Sequence, residues 1–314
     1  MAKISVVTPA YNEEDGITHF LRKLESELSL LASHNQFEII VVNDGSSDQT
    51  EIKVIEYNSP NVILVNLVSN SGHMAALEAG LRQATGDLIV TMDSDLQHPP
   101  SMMVEMLNIQ IETKCDVVLA ERKRGKDEKF LRRWSSVLFY KVLSKITEIE
   151  IHDNVADFRL MTRSVVDTMI NVPEKQKVFR FLISALGFKV EKLEFVAPER
   201  EFGKSKYSVK HLVKFAIDIV IGFSIRPLVW IFIFGVFFLI IASCYLIFLI
   251  TSYLSGTILQ GWTSLMFVLV VLSSFQLLAI GVIGRYLGQV LIEIRGRPNY
   301  LIRNTHNSES LGDY

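Results

Sequence analysis

Cysteine is scarce: Cys115 and Cys244 are the only two in 314 residues. Two cysteines give neither a disulfide framework nor the spacing of a metal site, and they read as ordinary apolar thiols. A basic surplus is missing too. The 32 Lys and Arg stand against 34 Asp and Glu, a formal net charge of −2, so the overall basic signature of a nucleic-acid binder is absent. No Gly-x-Gly-x-x-Gly follows the first apolar run, which argues against a dinucleotide oxidoreductase, and there is no Walker A lysine motif. The amino-terminal "MAKISVVTPAYNEE" has an apolar run too short for a signal peptide, so the first domain is expected in the cytoplasm. The largest gap is in charge: from Pro227 to Gly284 there is no Asp, Glu, Lys or Arg at all.

That uncharged region holds "PLVWIFIFGVFFLIIASCYLIFLITSYL" (227–254) and "TSLMFVLVVLSSFQLLAIGVIG" (263–284). Each exceeds the roughly 20 apolar residues that cross a bilayer. Lys204, Lys206, Lys210, Lys214 and Arg226 precede the first run, and Arg285, Arg295, Arg297 and Arg303 follow the second. The positive-inside rule then puts both ends in the cytoplasm and the connector "SGTILQGW" outside. Trp230, Tyr253 and Trp262 fall near the span ends, where aromatic belts form. Just upstream, Val209, Leu212, Val213, Ala216, Ile219, Val220 and Phe223 follow a helical period opposite Lys210, His211, Lys214 and Asp218. The stripe reads as a helix lying in the membrane interface; a helix packed on the soluble domain shares the pattern.

Before residue 206 short apolar runs alternate with amphipathic ones. "KISVVTP" (3–9), "FEIIVVND" (37–44), "NVILVNL" (61–67), "DLIVTMD" (87–93) and "DVVLAE" (116–121) read as strands buried on both faces. "GITHFLRKLESELSLLAS" (16–33) and "GHMAALEAGLRQA" (72–84) read as helices. The alternation predicts an α/β fold with a mostly parallel sheet. Ligands of such sheets bind at the carboxyl ends of the strands. Three polar clusters fall there: "PAYNEED" (9–15), "NDGSSDQT" (43–50) and "DSDLQHPP" (93–100).

In the third cluster Asp93 and Asp95 are one residue apart, and like charges held close repel. A hard divalent cation relieves that repulsion, because Mg²⁺ or Mn²⁺ is held by one or two carboxylates together with substrate phosphates. Gln97 offers a carbonyl oxygen and His98 a nitrogen. A solvated turn and helix N-cap before Pro99–Pro100 is the plainer reading of the same residues.

Taken together, "SVVTPAYNEE", "VNDGSSDQT", "DSDLQHPP", "ADFRLM" and "GKSKYS", followed by two apolar spans and "RYLGQVLIEIRGRPNYLI", resemble the polyprenyl-phosphate glycosyltransferases of glycosyltransferase family 2. These include the bactoprenol glucosyltransferases and dolichol-phosphate mannose synthase. The resemblance covers essentially the whole chain. It implies a GT-A catalytic domain, Rossmann-like and with a mostly parallel sheet, over 1–206. An amphipathic juxtamembrane helix over 207–226, two transmembrane helices over 227–287 and a cytoplasmic tail over 288–314 would follow. Pro9, Tyr11 and Glu13 would line the base and ribose pocket, Asp44 would contact the base, and Gly72 and His73 would lie near it. Asp93 would touch ribose or metal, and Asp95 and Gln97 would bind the metal, Mg²⁺ or Mn²⁺. The family usually reads Asp-Ala-Asp-Leu-Gln-Asp-Pro-Pro, so Ser94 and His98 depart from it, and His98 has no assigned role.

The implied reaction moves a sugar, with inversion, from a nucleotide diphosphate to undecaprenyl phosphate at the cytoplasmic face of a bacterial inner membrane. UDP-glucose is the favoured donor, with GDP-mannose and a UDP-N-acetylhexosamine as alternatives, and a homo-tetramer is expected. Asp157 of "VADFRLM" occupies the position the family casts as catalytic base. A phosphate monoester has its second pKa near 6, so the acceptor is mostly deprotonated at neutral pH. Asp157 then serves as well to position sugar or acceptor, to stabilise developing positive charge, or as an ion-pair partner of Arg159 or Arg163. Arg122, Arg132, Arg133, Arg200, Lys204 and Lys206, with Ser136 and Tyr207, are the candidates for holding the acceptor phosphate. A processive polysaccharide synthase is the main rival, but Phe130 stands where its Gln-x-x-Arg-Trp motif needs glutamine. A non-catalytic sugar-nucleotide sensor would be expected to lose Asp93, Asp95 or Asp157, and two uncharged spans make a poor polar path for a transporter.

Overall fold

The five apolar runs are strands: β1 (Lys3–Ala10), β2 (Gln36–Asn43), β3 (Val62–Leu67), β4 (Leu88–Thr91) and β5 (Val117–Arg122). The computed structural model describes residues 2–31, 36–122, 155–174, 177–196, 220, 224–255 and 261–307. Between the strands run α1 (Ile17–Leu31), α2 (Thr50–Tyr57), α3 (His73–Gln83) and α4 (Met102–Thr113). Three strands add to the expected set: β6 (Val155–Thr162), β7 (Val190–Phe195) and β8 (Ile302–Asn307). Helices α5 (Arg163–Asn171) and α6 (Phe179–Ala185) link β6 to β7.

One eight-stranded sheet results, in the order β7-β5-β6-β4-β1-β2-β3-β8. The pairs β1–β2, β1–β4, β2–β3 and β5–β7 are parallel, while β6 runs antiparallel between β4 and β5 and β8 antiparallel along β3. Successive strand side chains point to opposite faces, which is why the strands read as unbroken apolar runs. Ile39 and Val41 join one core with Phe20, Leu24 and Leu28 of α1 and Met103 and Met106 of α4. Ile40 and Val42 join the other, with Leu77 and Ala79 of α3, Val166 of α5 and Leu182 of α6. Each fully buried side chain of this kind contributes about 1.5–3 kcal/mol relative to exposure. Gly80 lets α3 approach the sheet: a Cβ there would lie 2.4 Å from a Val7 methyl and 2.9 Å from one of Val42.

Part of the segment expected as a tail belongs to the sheet. β8 contains little that looks like a buried strand, and its placement comes from pairing. It covers the open edge of β3, a position that otherwise leaves a row of unpaired backbone groups. Asn66 of β3 donates from Nδ2 to Asn304 of β8 (2.9 Å) and accepts from Asn43 of β2 (2.8 Å), so three strands share one amide ladder. Arg303 pairs with Glu51 of α2.

The apolar runs form a second unit of two helices, α7 (Arg226–Leu254, 29 residues) and α8 (Trp262–Ile294, 33 residues). Both are long and apolar enough to cross a membrane, with apolar stretches over Arg226–Ser252 and Val268–Ile294. Phe275 of α8 meets Phe234 and Phe238 of α7 at ring distances of 6.1 and 5.3 Å. Whereas the spans were expected to end by 287, α8 continues to Ile294, since no proline interrupts it before Pro298.

Candidate active site

The loops after β1 and β2 lock together at the carboxyl end of the sheet. Asn12, at φ 54, accepts from the Ser47 backbone N–H through Oδ1 (2.9 Å) and donates its own N–H to Ser46 Oγ (3.0 Å). The Glu14 N–H donates to Asp48 (3.1 Å), and the Glu13 N–H donates to Thr50 Oγ1 (2.9 Å). Pro9 is the penultimate residue of β1, and Tyr11, 44 % exposed, follows the strand's carboxyl end.

Asp44 is buried rather than open to a ligand. Its two carboxylate oxygens accept the backbone N–H groups of Ser71 (2.7 Å) and Gly72 (3.0 Å). Burial pushes its carboxyl up, and these two donors oppose the shift. Asp44, expected at the base, thereby also holds the loop that launches α3. Gly45 makes room for that loop. Its φ is +63, and a Cβ would fall 2.5 Å from the Ser69 carbonyl carbon.

Gly72 takes φ 92 at the start of α3 and turns His73 into the site. His73, expected near the base, also reaches two carboxylates. Its Nε2 lies 3.3 Å from Asp157 Oδ2 and 3.7 Å from Asp93 Oδ1. The antiparallel direction of β6 explains the meeting. β4 pairs Thr91 with Arg159, and two residues further along that register Asp93 faces Asp157. A parallel β6 would have carried Asp157 to the opposite end of the sheet.

The turn after β4 sorts its side chains by parity. Ser94, Leu96 and His98 are buried, whereas Asp93, Asp95 and Gln97 are half-buried and keep solvent access. The three residues expected at the metal therefore all keep solvent access. Ser94 Oγ donates to the Pro9 carbonyl (3.3 Å), Leu96 bends the chain at φ 58, and Asp95 Oδ1 accepts from the Gln97 N–H (3.1 Å). Desolvation pushes the Asp93 carboxyl up, with Asp157 and Asp95 adding to the shift and His98 and His73 opposing it. Among the described residues no three His, Cys, Asp or Glu side chains converge as a self-contained metal site. Two adjacent carboxylates, one of them strained towards its neutral form, fit a hard cation whose remaining oxygen ligands come from a diphosphate.

Asp157 is the opposite case. Burial alone would raise its pKa, but Arg159, His73 and Arg180 outweigh it and hold the carboxyl well below the usual range. Arg159 is 1 % exposed and pairs with Asp157 directly; Arg180 of α6 approaches to 3.6 Å. Nε and Nη1 of Arg159 and Nε of Arg180 are buried with no acceptor among the described residues. Arg163, the other partner considered for Asp157, instead donates to the carbonyls of Ala84 (2.8 Å) and Gly86 (2.6 Å). The Asp-x-Arg spacing at 157–159 was visible in the sequence, whereas Arg180 carried no signal.

Arg122 ends β5, exposed and in register with Phe195 of β7. The other candidates for the acceptor phosphate, Arg132, Arg133, Ser136, Arg200, Lys204, Lys206 and Tyr207, lie outside the described residues, as does most of the juxtamembrane helix.

The histidine between two carboxylates carries a pH signature. Burial lowers its pKa, but the hydrogen bond to Asp157 and the charges of Asp93 and Asp157 raise it above 6.5 overall. A raised folded pKa stabilises the fold fully below the unfolded value and loses that contribution as pH rises through the folded one. His73→Gln is expected to lower the melting temperature of the metal-free protein more at pH 5.5 than at pH 9. An equal drop at both pH values would rule out the charged bridge.

Known proteins give this geometry a setting. The family profile described as glycosyl transferase family 2 matches residues 5–170. An uncharacterized glycosyltransferase of Synechocystis is 36 % identical over 313 residues, 98 % of this chain and 97 % of that protein. The bactoprenol glucosyl transferase of Shigella phage SfII is 35 % identical over 308 residues, 97 % of this chain and 98 % of that one. Among solved structures, glucosyl-3-phosphoglycerate synthase from Mycobacterium tuberculosis in complex with phosphoglyceric acid shares the fold, with 20 % identity and a TM-score of 0.50 over 71 % of this chain and 79 % of that one. With a Rossmann-like, mostly parallel GT-A sheet, a profile match over more than half its length and relatives alike nearly end to end, the chain belongs to glycosyl transferase family 2.

Proposed function

We propose that this protein transfers a hexose, glucose by preference, from a nucleotide-diphosphate sugar to undecaprenyl phosphate, with inversion, at the cytoplasmic face of a bacterial inner membrane. One observation carries the reading. Asp93 and Asp95 open onto the same end of the sheet as the Asp157–His73 pair, in a chain with two helices apolar enough to cross a membrane. The likeness to bactoprenol glucosyl transferases supports the lipid acceptor and the sugar.

The residues divide the work by charge. Tyr11, Pro9 and the interlocked loops after β1 and β2 form the wall against which the nucleoside would lie. A divalent cation held by Asp93, Asp95 and Gln97 would act as a Lewis acid on the departing diphosphate. Asp157 stays ionised, because Arg159 and Arg180 stabilise its anion, which makes it a poor proton acceptor. A phosphate acceptor, already mostly deprotonated, needs no base. The Asp157 anion instead faces the sugar and stabilises the positive charge that grows at its anomeric carbon. Arg122, with Arg132, Arg133, Ser136, Arg200, Lys204, Lys206 and Tyr207, would hold the acceptor phosphate.

The test uses the full chain in detergent with Mn²⁺ or Mg²⁺, undecaprenyl phosphate and labelled nucleotide sugars. Label passing into a lipid-soluble product is expected, most rapidly from UDP-glucose. No labelled lipid from any of UDP-glucose, GDP-mannose and UDP-N-acetylhexosamines would overturn the proposal.

A further inference from the structure

We propose that His98 is a positioning residue that fixes the backbone of the metal-binding turn through its Nδ1 acceptor; this rests on the reading of Asp93 and Asp95 as the cation and diphosphate site. His98 is 5 % exposed. Its Nδ1 accepts the backbone N–H of Asp93 at 3.0 Å, so the ring carries its proton on Nε2. That nitrogen is 3.9 Å from Asp93 Oδ2, too far for a hydrogen bond. The bond to the Asp93 backbone is therefore the imidazole's specific contact with the turn.

The ring is itself held. It stacks on Phe158 at 5.3 Å with 20° between planes, and Phe195 of β7 meets its edge at 6.2 Å and 71°. Phe158 and Phe195 pack against each other at 6.4 Å and 90°. Phe158 follows Asp157 in β6 and points to the opposite face of the sheet. One side of the strand thus carries Asp157, and the other carries the ring that seats His98. Asp93 is gripped from both faces: its backbone by His98, its carboxylate by His73 from α3.

The turn needs such a tie. Leu96 is a non-glycine residue at φ 58, a sparsely populated region for L side chains. Asp95 accepts the local Gln97 N–H. The bond from Asp93 to His98 closes the whole loop and sets where the two carboxylates point. Pro99 disfavours helical backbone at His98, which limits the conformations open to the ring's backbone. A carboxylate in the place of His98 would accept the same N–H but add a third negative charge beside Asp93 and Asp95; the imidazole adds no negative charge.

Three variants of the full chain in detergent test this, read by Mn²⁺-dependent binding of UDP and GDP in calorimetry and by amide exchange at Asp93. His98→Asn keeps an acceptor the same number of bonds from Cα as Nδ1 but loses the ring. His98→Phe keeps the ring and loses the acceptor. His98→Gln moves the acceptor one bond outward, and serves if the Phe variant does not fold. The Asn variant is expected to melt lower yet bind nucleotide within about threefold of the parent, with Asp93 still protected. The Phe and Gln variants are expected to lose at least about tenfold in affinity and the protection at Asp93. Parent-like binding by the Phe or Gln variant overturns the proposal, as does an Asn variant that loses as much as they do. A parent protein that binds neither nucleotide in the presence of Mn²⁺ overturns the site reading itself.

Discussion

Asp157→Asn is expected to lower both stability and turnover, and the two losses are separable. Asp157 is the direct charge partner of Arg159, which is 1 % exposed. Removing one member of a buried pair leaves an uncompensated charge, at a cost of about 3–5 kcal/mol. For a unit of this size that corresponds to a fall in melting temperature on the order of 10 °C. Turnover is expected to drop about 10²–10³-fold, the scale of losing one preorganised electrostatic group. Adding Arg159→Leu should return part of the stability, because it removes the fully buried charge left uncompensated. It should not return turnover. Recovery of turnover in the double variant would reduce Asp157 to a structural counter-ion. An unchanged melting temperature in Asp157→Asn would contradict the burial argument.

The parts of this site that were legible in the sequence are those that follow from strand periodicity. The runs at 3–9, 37–44, 61–67, 87–93 and 116–121 fall on β1 to β5 because strands buried on both faces are apolar throughout. A polar cluster after such a run then marks the carboxyl end of the sheet, so the position of Asp93 and Asp95 follows from the sequence alone. Direction and pairing were not legible. "VADFRLM" alternates polar and apolar residues in either orientation, and only the register of Thr91 with Arg159 reveals that Asp157 faces Asp93. His98 looked like a residue entering a helix, since nothing local shows that Phe158 and Phe195 converge on it from β6 and β7. The resemblance places His73 near the base, but nothing local shows that the start of α3 also brings it to Asp157 and Asp93. β8 was the hardest to foresee. "IRNTHN" has no buried face, and its strand character comes from an edge more than 200 residues away in sequence.

Asp95→Ala is expected to abolish most turnover while leaving the fold nearly intact, the reverse of the Asp157 pattern. Asp95 lies on the accessible side of the turn, and its Oδ1 accepts a local bond from Gln97. Losing one such bond costs about 0.5–1.5 kcal/mol, so the melting temperature should move by a few degrees at most. Its charge matters more. A ligand that helps a divalent cation stabilise the departing diphosphate is worth several kcal/mol in the transition state, and about 4 kcal/mol corresponds to a roughly 10³-fold loss. Asp95→Asn separates the two contributions, because the amide oxygen can keep the turn bond but carries no charge. It should melt like the parent and turn over like the Ala variant. Chelation supplies the control. EDTA should reduce the parent to about the level of Asp95→Ala, Mn²⁺ or Mg²⁺ should restore the parent alone, and the variants should respond little to either. An Asp95→Ala protein that keeps parental turnover, or that EDTA inhibits by the same factor as the parent, would remove Asp95 from the cation site and leave Asp93 as its only carboxylate from this turn.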